Sequence, residues 1–170
     1  NTAWADAGYV VAEEKLLIRA AKKPMYTPAA NALEVSESAS AITITGQNFT
    51  ATFSKIQGTL SGYSYDGKIL LSKGLKLNAF RLPTDNDGRR CESWDNMGLR
   101  QLTAKGNTAS VRKADDGNTA TVTMNTTYTG KSGTTFDVDM DFIVCADGTI
   151  MTNSFIRPSQ TGAVLPKPGF

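Results

Sequence analysis

The sequence contains no histidine. That absence removes Ser–His nucleophile activation, the commonest general base and the commonest metal ligand together. Cysteine is nearly as scarce: Cys91 and Cys145 are the only two, too few for a disulfide framework and without metal-ligand spacing. They read as unbridged, buried thiols, with a single Cys91–Cys145 bridge as the alternative in an oxidising compartment. No apolar run is long enough to span a bilayer, and the start of the chain has neither a basic leader nor an apolar signal core, so no membrane partner is expected. Neither sign of charge dominates. The net charge is +2, and Lys and Arg are scattered, with Lys22-Lys23 a local concentration, which implies no nucleic-acid partner. A glycine-rich phosphate loop, a fixed-period repeat and low-complexity sequence are all missing. The chain begins at Asn1 rather than Met, as expected of a processed chain or of a piece cut from a longer one.

What is present is the composition of a soluble globular protein, with 40% hydrophobic and 20% charged residues. A length of 170 residues allows one domain with a sizeable core, or one domain plus a fragment of another. From Leu33 onward the dominant signal is alternation of apolar and polar residues, interrupted repeatedly by turn formers. Ile42 and Ile44 share a face, and so do Phe49, Ala51 and Phe53. Leu60, Gly62 and Ser64 are expected to alternate with Tyr63 and Tyr65, and Asp66-Gly67 is a strong hairpin signal. Further along, Ala120, Val122, Met124, Thr126 and Tyr128 line one face. Phe136, Val138, Met140, Phe142 and Val144 form the cleanest amphipathic strand, with Asp137, Asp139 and Asp141 opposite. Glu92 to Met97 is the one helix candidate, and Gly98 is placed to close it. Only hairpin connections are visible, so the predicted architecture is an all-β, antiparallel β-sandwich with one short helix.

The densest chemistry lies in Leu77-Asn78-Ala79-Phe80-Arg81-Leu82-Pro83-Thr84-Asp85-Asn86-Asp87-Gly88. An apolar, strand-like run must end at Pro83, which fixes its own φ, lacks an N–H and pushes Leu82 toward extended geometry. Asp85, Asn86 and Asp87 are turn formers, Gly88 tolerates positive φ, and Arg81, Arg89 and Arg90 flank the break. Asp85, Asp87 and Gly88 echo the third, fifth and sixth positions of an EF-hand loop. Positions one and twelve would then be Pro83 and Trp94, so the carboxylates a calcium loop needs most are missing and no metal is expected. Two readings of the stretch remain: an Asx-rich turn held by local pairing, with Arg81 and Asp85 as the expected ion pair, or a polar loop at the rim of a binding site.

The run Phe80-Arg81-Leu82-Pro83-Thr84-Asp85-Asn86-Asp87, followed by Trp94 and Gly98-Leu99, resembles a signature of the large β-galactosidases of glycoside hydrolase family 2. Trp4-Ala5-Asp6-Ala7-Gly8-Tyr9-Val10-Val11-Ala12-Glu13-Glu14 is similar to the segment in which that family's immunoglobulin-like domain ends. Leu82 stands where alanine is more usual, a mild departure. The resemblance implies that residues 1–23 are the terminal strand of an immunoglobulin-like domain, 24–34 a linker, and 35–170 the incomplete first part of a galactose-mutarotase-like supersandwich. Gly8 to Ala20 is accordingly expected as strand, and Pro166 to Phe170 as the entry to a further one.

In that family the catalytic glutamates sit on a barrel preceding these segments. The resemblance therefore implies a non-catalytic region that buttresses the barrel and shapes the sugar site, inactive alone, with no catalytic residue and no cofactor of its own. Its implied partners are the barrel, the rest of the sandwich and a β-galactoside sugar, in a cytoplasmic or periplasmic parent enzyme. Arg81, Asp85, Asn86, Asp87 and Gly88 become the substrate-proximal loop. A free-standing carbohydrate-binding or protein-interaction sandwich is the alternative. Asp137, Asp139 and Asp141 are spaced along one strand and point in parallel, which suits a solvated face better than a glycosidase pair converging on one bond. Trp4, Trp94, Tyr63 and Tyr65 could stack on sugar rings, although such residues more often pack in cores. Asn48-Phe49-Thr50 and Asn125-Thr126-Thr127 fit glycosylation acceptors, a pattern short enough to arise by chance.

Overall fold

The computed structural model describes residues 3–10, 13–14, 32–160 and 164–170. Most of the expected strand from Gly8 to Ala20, and most of the expected linker, lie outside the described residues. The rest folds into two antiparallel sheets. The first contains β1 (Glu34–Glu37), β2 (Ala41–Thr45), β3 (Phe49–Ser54), β4 (Thr59–Tyr65) and β5 (Lys68–Leu71), in sequence order. The second contains β6 (Thr103–Lys113), β7 (Thr119–Thr129), β8 (Thr135–Cys145) and β9 (Ile150–Pro158), again in order. Between them run a long connection and one helix, α1 (Arg90–Asn96). This is the all-β sandwich that the alternation predicts. Among the described residues no helix is long and apolar enough to cross a membrane.

The alternation decides which face is inside. On β8, Phe136, Val138, Met140, Phe142 and Val144 are all buried. They stand opposite Tyr128, Thr126, Met124, Val122 and Ala120 of β7, which are buried too. Ile42, Ile44, Phe49, Ala51 and Phe53 of the first sheet join them in one core, and Phe53 meets Phe142 with ring centroids 5.2 Å apart. Polar groups also stitch the sheets together. The Thr126 hydroxyl donates to the Gly58 carbonyl at 2.7 Å, the Gly106 amide to the Ile56 carbonyl at 2.8 Å, and the Tyr63 hydroxyl to the Gly148 carbonyl at 2.7 Å.

The two-residue turn Asp66-Gly67 joins β4 to β5 with both residues at positive φ (47° and 73°), the geometry that matches strand twist. One expectation fails beside it. Phe53 pairs with Leu60, but Thr52 pairs with Gly62, so Ser61 is an extra residue in a β-bulge. A one-residue insertion reverses the facing of everything beyond it. Tyr63 and Tyr65 therefore turn inward onto the same core as Leu60, rather than away from it.

Cys145 is buried, Cys91 is only half-buried, and the two are not joined in a disulfide. The run before Pro83 is extended, yet among the described residues it pairs at one position only: Asn78 and Gly169 exchange backbone hydrogen bonds of 2.7 and 3.0 Å in an antiparallel bridge. The segment at the end of the chain thus runs beside the approach to the loop, and Phe170 lies edge-on to Tyr128, centroids 6.3 Å apart.

Candidate functional site

Leu77 and Ala79 are buried and fix the backbone entering the loop, while the Asn78 side-chain oxygen accepts a hydrogen bond from the Phe80 amide at 3.0 Å. Past Pro83, Asp85–Asp87 form a single 3-10 turn. The Asp87 amide bonds the Thr84 carbonyl at 3.0 Å, and the Asp87 carboxylate reaches back to accept from the Thr84 amide at 2.6 Å and the Thr84 hydroxyl at 3.0 Å. This reciprocal arrangement satisfies groups at the start of the turn that would otherwise lack partners.

The same carboxylate receives the Arg81 guanidinium as a fork, Nη1 to Oδ2 and Nη2 to Oδ1, both at 2.7 Å. Two parallel charge-assisted bonds fix orientation as well as distance. The partner is thus Asp87, and the expected Arg81–Asp85 pair is replaced. The reason is geometric: one 3-10 turn carries position 87 back over position 84 and onto the guanidinium, while Asp85 projects outward. The Arg81 hydrogen bonds hold the Asp87 carboxyl well below the usual carboxylate range, helped by the Thr84 amide, and the same contact raises the Arg81 guanidinium. Asp87, the fifth position of the calcium-loop reading, has both oxygens committed to Arg81 and Thr84.

With that frame set, Asp85, Asn86 and Gly88 are exposed at the tip, together with Arg89 and Arg90. Gly88 uses its carbonyl to accept the Cys91 thiol at 2.9 Å, tying the turn to the first residues of α1. The helix begins two residues before the predicted Glu92 and ends at Asn96, with Met97, its expected last residue, as the cap. There the Leu99 amide bonds the Trp94 carbonyl at 3.1 Å, the Gly98 amide bonds the Asp95 carbonyl at 3.0 Å, and Gly98 sits at φ 70°.

Of the sugar-stacking candidates, Trp94 takes the core-packing alternative. It is 1% exposed, and its indole N–H donates to the Val164 carbonyl at 2.9 Å. Its ring is a floor for the loop: the Arg81 guanidinium carbon lies 5.4 Å from its centroid and Phe80 meets it edge-on at 6.4 Å. Tyr63 packs against the core with its hydroxyl bonded, and Tyr65 packs there as well. Trp4 is largely exposed and edge-on to Tyr9.

The Asp137, Asp139 and Asp141 row lies on the outer face of the second sheet. Arg157 of β9 spans the first two, Nη2 to Asp137 at 2.6 Å and Nη1 to Asp139 at 2.7 Å, and the Asn125 amide donates to both. Both carboxyls are held below their usual range, Arg157 being the largest cause. Asp141 accepts from the Thr123 hydroxyl at 2.7 Å.

Sequence reasoning missed Arg100 and Arg157. Neither carries a local pattern, because their partners lie beyond a helix cap or on a neighbouring strand. The Arg81–Asp87 pairing had a signal: Thr84-x-x-Asp87 is the spacing of a capping box.

A sequence model of the β-galactosidase small chain matches residues 45–170, a span holding β3–β5 of the first sheet, the loop, α1 and the whole second sheet. The β-galactosidase of Priestia megaterium (strain DSM 319 / IMG 1521) is 40% identical over 111 residues, which is 62% of this chain and 11% of that protein. The β-galactosidase of Streptococcus thermophilus is 36% identical over 86 residues, 51% of this chain and 8% of that protein. The matched stretches are thus about a tenth of the length of these relatives. With a match that runs through the loop and covers well over half of its residues, the chain belongs to the β-galactosidase small-chain family.

Proposed function

We propose that this chain is the non-catalytic β-sandwich region of a glycoside hydrolase family 2 β-galactosidase, an enzyme hydrolysing terminal β-D-galactosides. In this reading the sandwich buttresses the catalytic barrel, and the Arg81–Gly88 loop shapes the sugar site. The observation that carries it is the division of labour inside the loop. The Asp87 carboxylate is taken up by Arg81 and Thr84, and Arg81 also donates to the Leu82 carbonyl, while Asp85 and Asn86 stand in solvent without a partner among the described residues. A rigid frame presenting unpaired polar tips is what positioning a hydroxyl-rich ligand requires.

The carboxylates support a non-catalytic role. A retaining glycosidase needs two carboxyl groups on opposite sides of one bond, one of them with a raised pKa so that it can donate a proton. Asp137 and Asp139 are neighbours on one strand, and both are pushed the other way by Arg157. In the full-length enzyme, Arg81→Ala and Asp87→Ala should each lower kcat/KM on an aryl β-galactoside by roughly 10- to 100-fold, the range of a misplaced substrate and far short of a lost nucleophile. Normal kinetics per folded molecule in both variants would reduce the loop to a structural element and overturn this assignment.

A further inference from the structure

We propose that Arg100, outside the loop and beyond the end of α1, is a positioning residue for the loop and acts through Phe80 and Trp94. The proposal rests on the reading that the loop shapes the sugar site.

The contacts form one chain. Asp95 Oδ1 accepts from Arg100 Nε at 2.7 Å, which fixes the plane of the guanidinium. Its central carbon then lies 4.3 Å from the centroid of the Phe80 ring. Phe80 is edge-on to Trp94 at 6.4 Å, Arg81 lies over Trp94 at 5.4 Å, and Arg81 forks onto Asp87. Two arginines thus bracket two aromatic rings, and the outer one is tethered by the last turn of the helix. Ion pairs as exposed as Asp95–Arg100 ordinarily contribute little to stability. Here the consequence is directional, because a cation over an aromatic face holds the ring as well as the charge. Phe80 immediately precedes Arg81. If its ring is free to swing outward, the backbone that aims the Arg81 fork is released, and with it the turn that presents Asp85 and Asn86. Gly98 lets Arg100 reach this place: the positive-φ cap reverses the chain so that the residue two beyond it lies back over the start of the loop.

The test uses the full-length β-galactosidase containing this region. Arg100→Met keeps the apolar stem and removes the cation; Arg100→Lys keeps a cation without the Nε bond to Asp95. Arg100→Met should lower kcat/KM on an aryl β-galactoside by roughly three- to tenfold, with Arg100→Lys intermediate. The inhibition constant of free galactose should rise in parallel, a readout that a purely stabilising role would not move. The double variant Arg81→Met with Arg100→Met should be no worse than Arg81→Met alone, because both arginines act on the same pair of rings. Wild-type kinetics in Arg100→Met and Arg100→Lys beside an impaired Arg81→Met would overturn the role of Arg100 and leave the loop assignment standing. Wild-type kinetics in all three would remove both. Multiplying effects in the double variant would show Arg100 acting by a separate route and would also overturn the proposal. Arg100 is half exposed, and should Arg100→Met fail to fold, the lysine variant decides alone by the same comparison.

Discussion

The sheet β6–β9 and the segment from Leu77 to Leu99 are held together in opposite ways. In the sheet, long strands exchange backbone hydrogen bonds along their whole length, and every inward position of β8 is buried, so any one side chain is backed by neighbours on both sides. In the segment, the extended part pairs at one position, and order comes from side chains acting singly: one fork, one thiol, two stacked arginines. The contrast separates two tasks. The sheet supplies free energy in bulk, insensitive to polar changes on its outer face. The segment is anchored by a few buried side chains, Leu77, Ala79, Trp94 and Leu99, and its polar groups fix directions, so substitutions at those polar groups should appear in function before they appear in stability.

The sharpest way to break this comparison is through the sheet. Phe142 is fully buried against Phe53 across the sandwich, and truncating it to alanine should cost about 3–5 kcal/mol, enough to unfold a marginal domain. Asp141→Ala, its immediate neighbour on the outer face, loses one exposed hydrogen bond to Thr123 and should leave the midpoint of a denaturant melt close to wild type. Equal losses in the two variants would mean that the sheet is not the one-sided structure described.

A smaller effect is expected where Gly106 of β6 meets the turn between β3 and β4. A Cβ on Gly106 would collide with the Lys55 carbonyl oxygen and crowd Gly58, both backbone. Gly106→Ala should therefore force the sheets apart locally and cost about 1–3 kcal/mol, read from the same melts. A neutral result would show that this corner of the sandwich is soft and that the bond from the Gly106 amide to Ile56 does not fix it.

These expectations also mark what could be read from the sequence. The inward row of β8, the Asp66-Gly67 turn and the Gly98 cap are local signals, each written in a few consecutive residues by backbone geometry. The bulge at Ser61 is not written locally, because it arises from how β3 and β4 share a register, and it turned Tyr63 and Tyr65 to the unexpected face. The loop was legible as a place and not as a mechanism. Pro83 and the acidic run marked where the chain had to turn, but the choice of Asp87 over Asp85 as the arginine's partner depended on a 3-10 turn. The burial of Trp94 depended on contacts with Phe80 and Val164, and the placing of Arg100 on the path of the chain after Gly98. Resemblance singled out the stretch; only tertiary geometry gave its internal contacts.

The smallest effect sharpens the comparison by asking whether the two arginine–carboxylate clusters behave alike in acid. Asp87 in the loop, and Asp137 and Asp139 on the sheet, all have folded-state pKa values below the ordinary carboxylate range. For such groups the unfolded chain binds protons more readily than the folded one. Their stabilisation is therefore complete above the ordinary carboxylate pKa of about 4 and is lost as the pH falls through the depressed folded values. Wild type should lose melting temperature on this acid limb. Arg157→Met removes the cation that dominates at both sheet aspartates and leaves two neighbouring carboxylates, of which Asp139 already works to raise Asp137. Their folded-state pKa values then move up toward or past the unfolded ones, so their contribution to the acid limb shrinks or changes sign, offset in part by the Asn125 amide that still bonds both. The variant's melting temperature should thus be slightly lower at pH 7 and fall less steeply between pH 5 and about 2. Asp87→Asn should flatten the limb as well, by removing the loop's titrating group. An Arg157→Met profile parallel to wild type would mean that the outer-face cluster is electrostatically idle, leaving the loop pair as the ionic contact whose geometry matters.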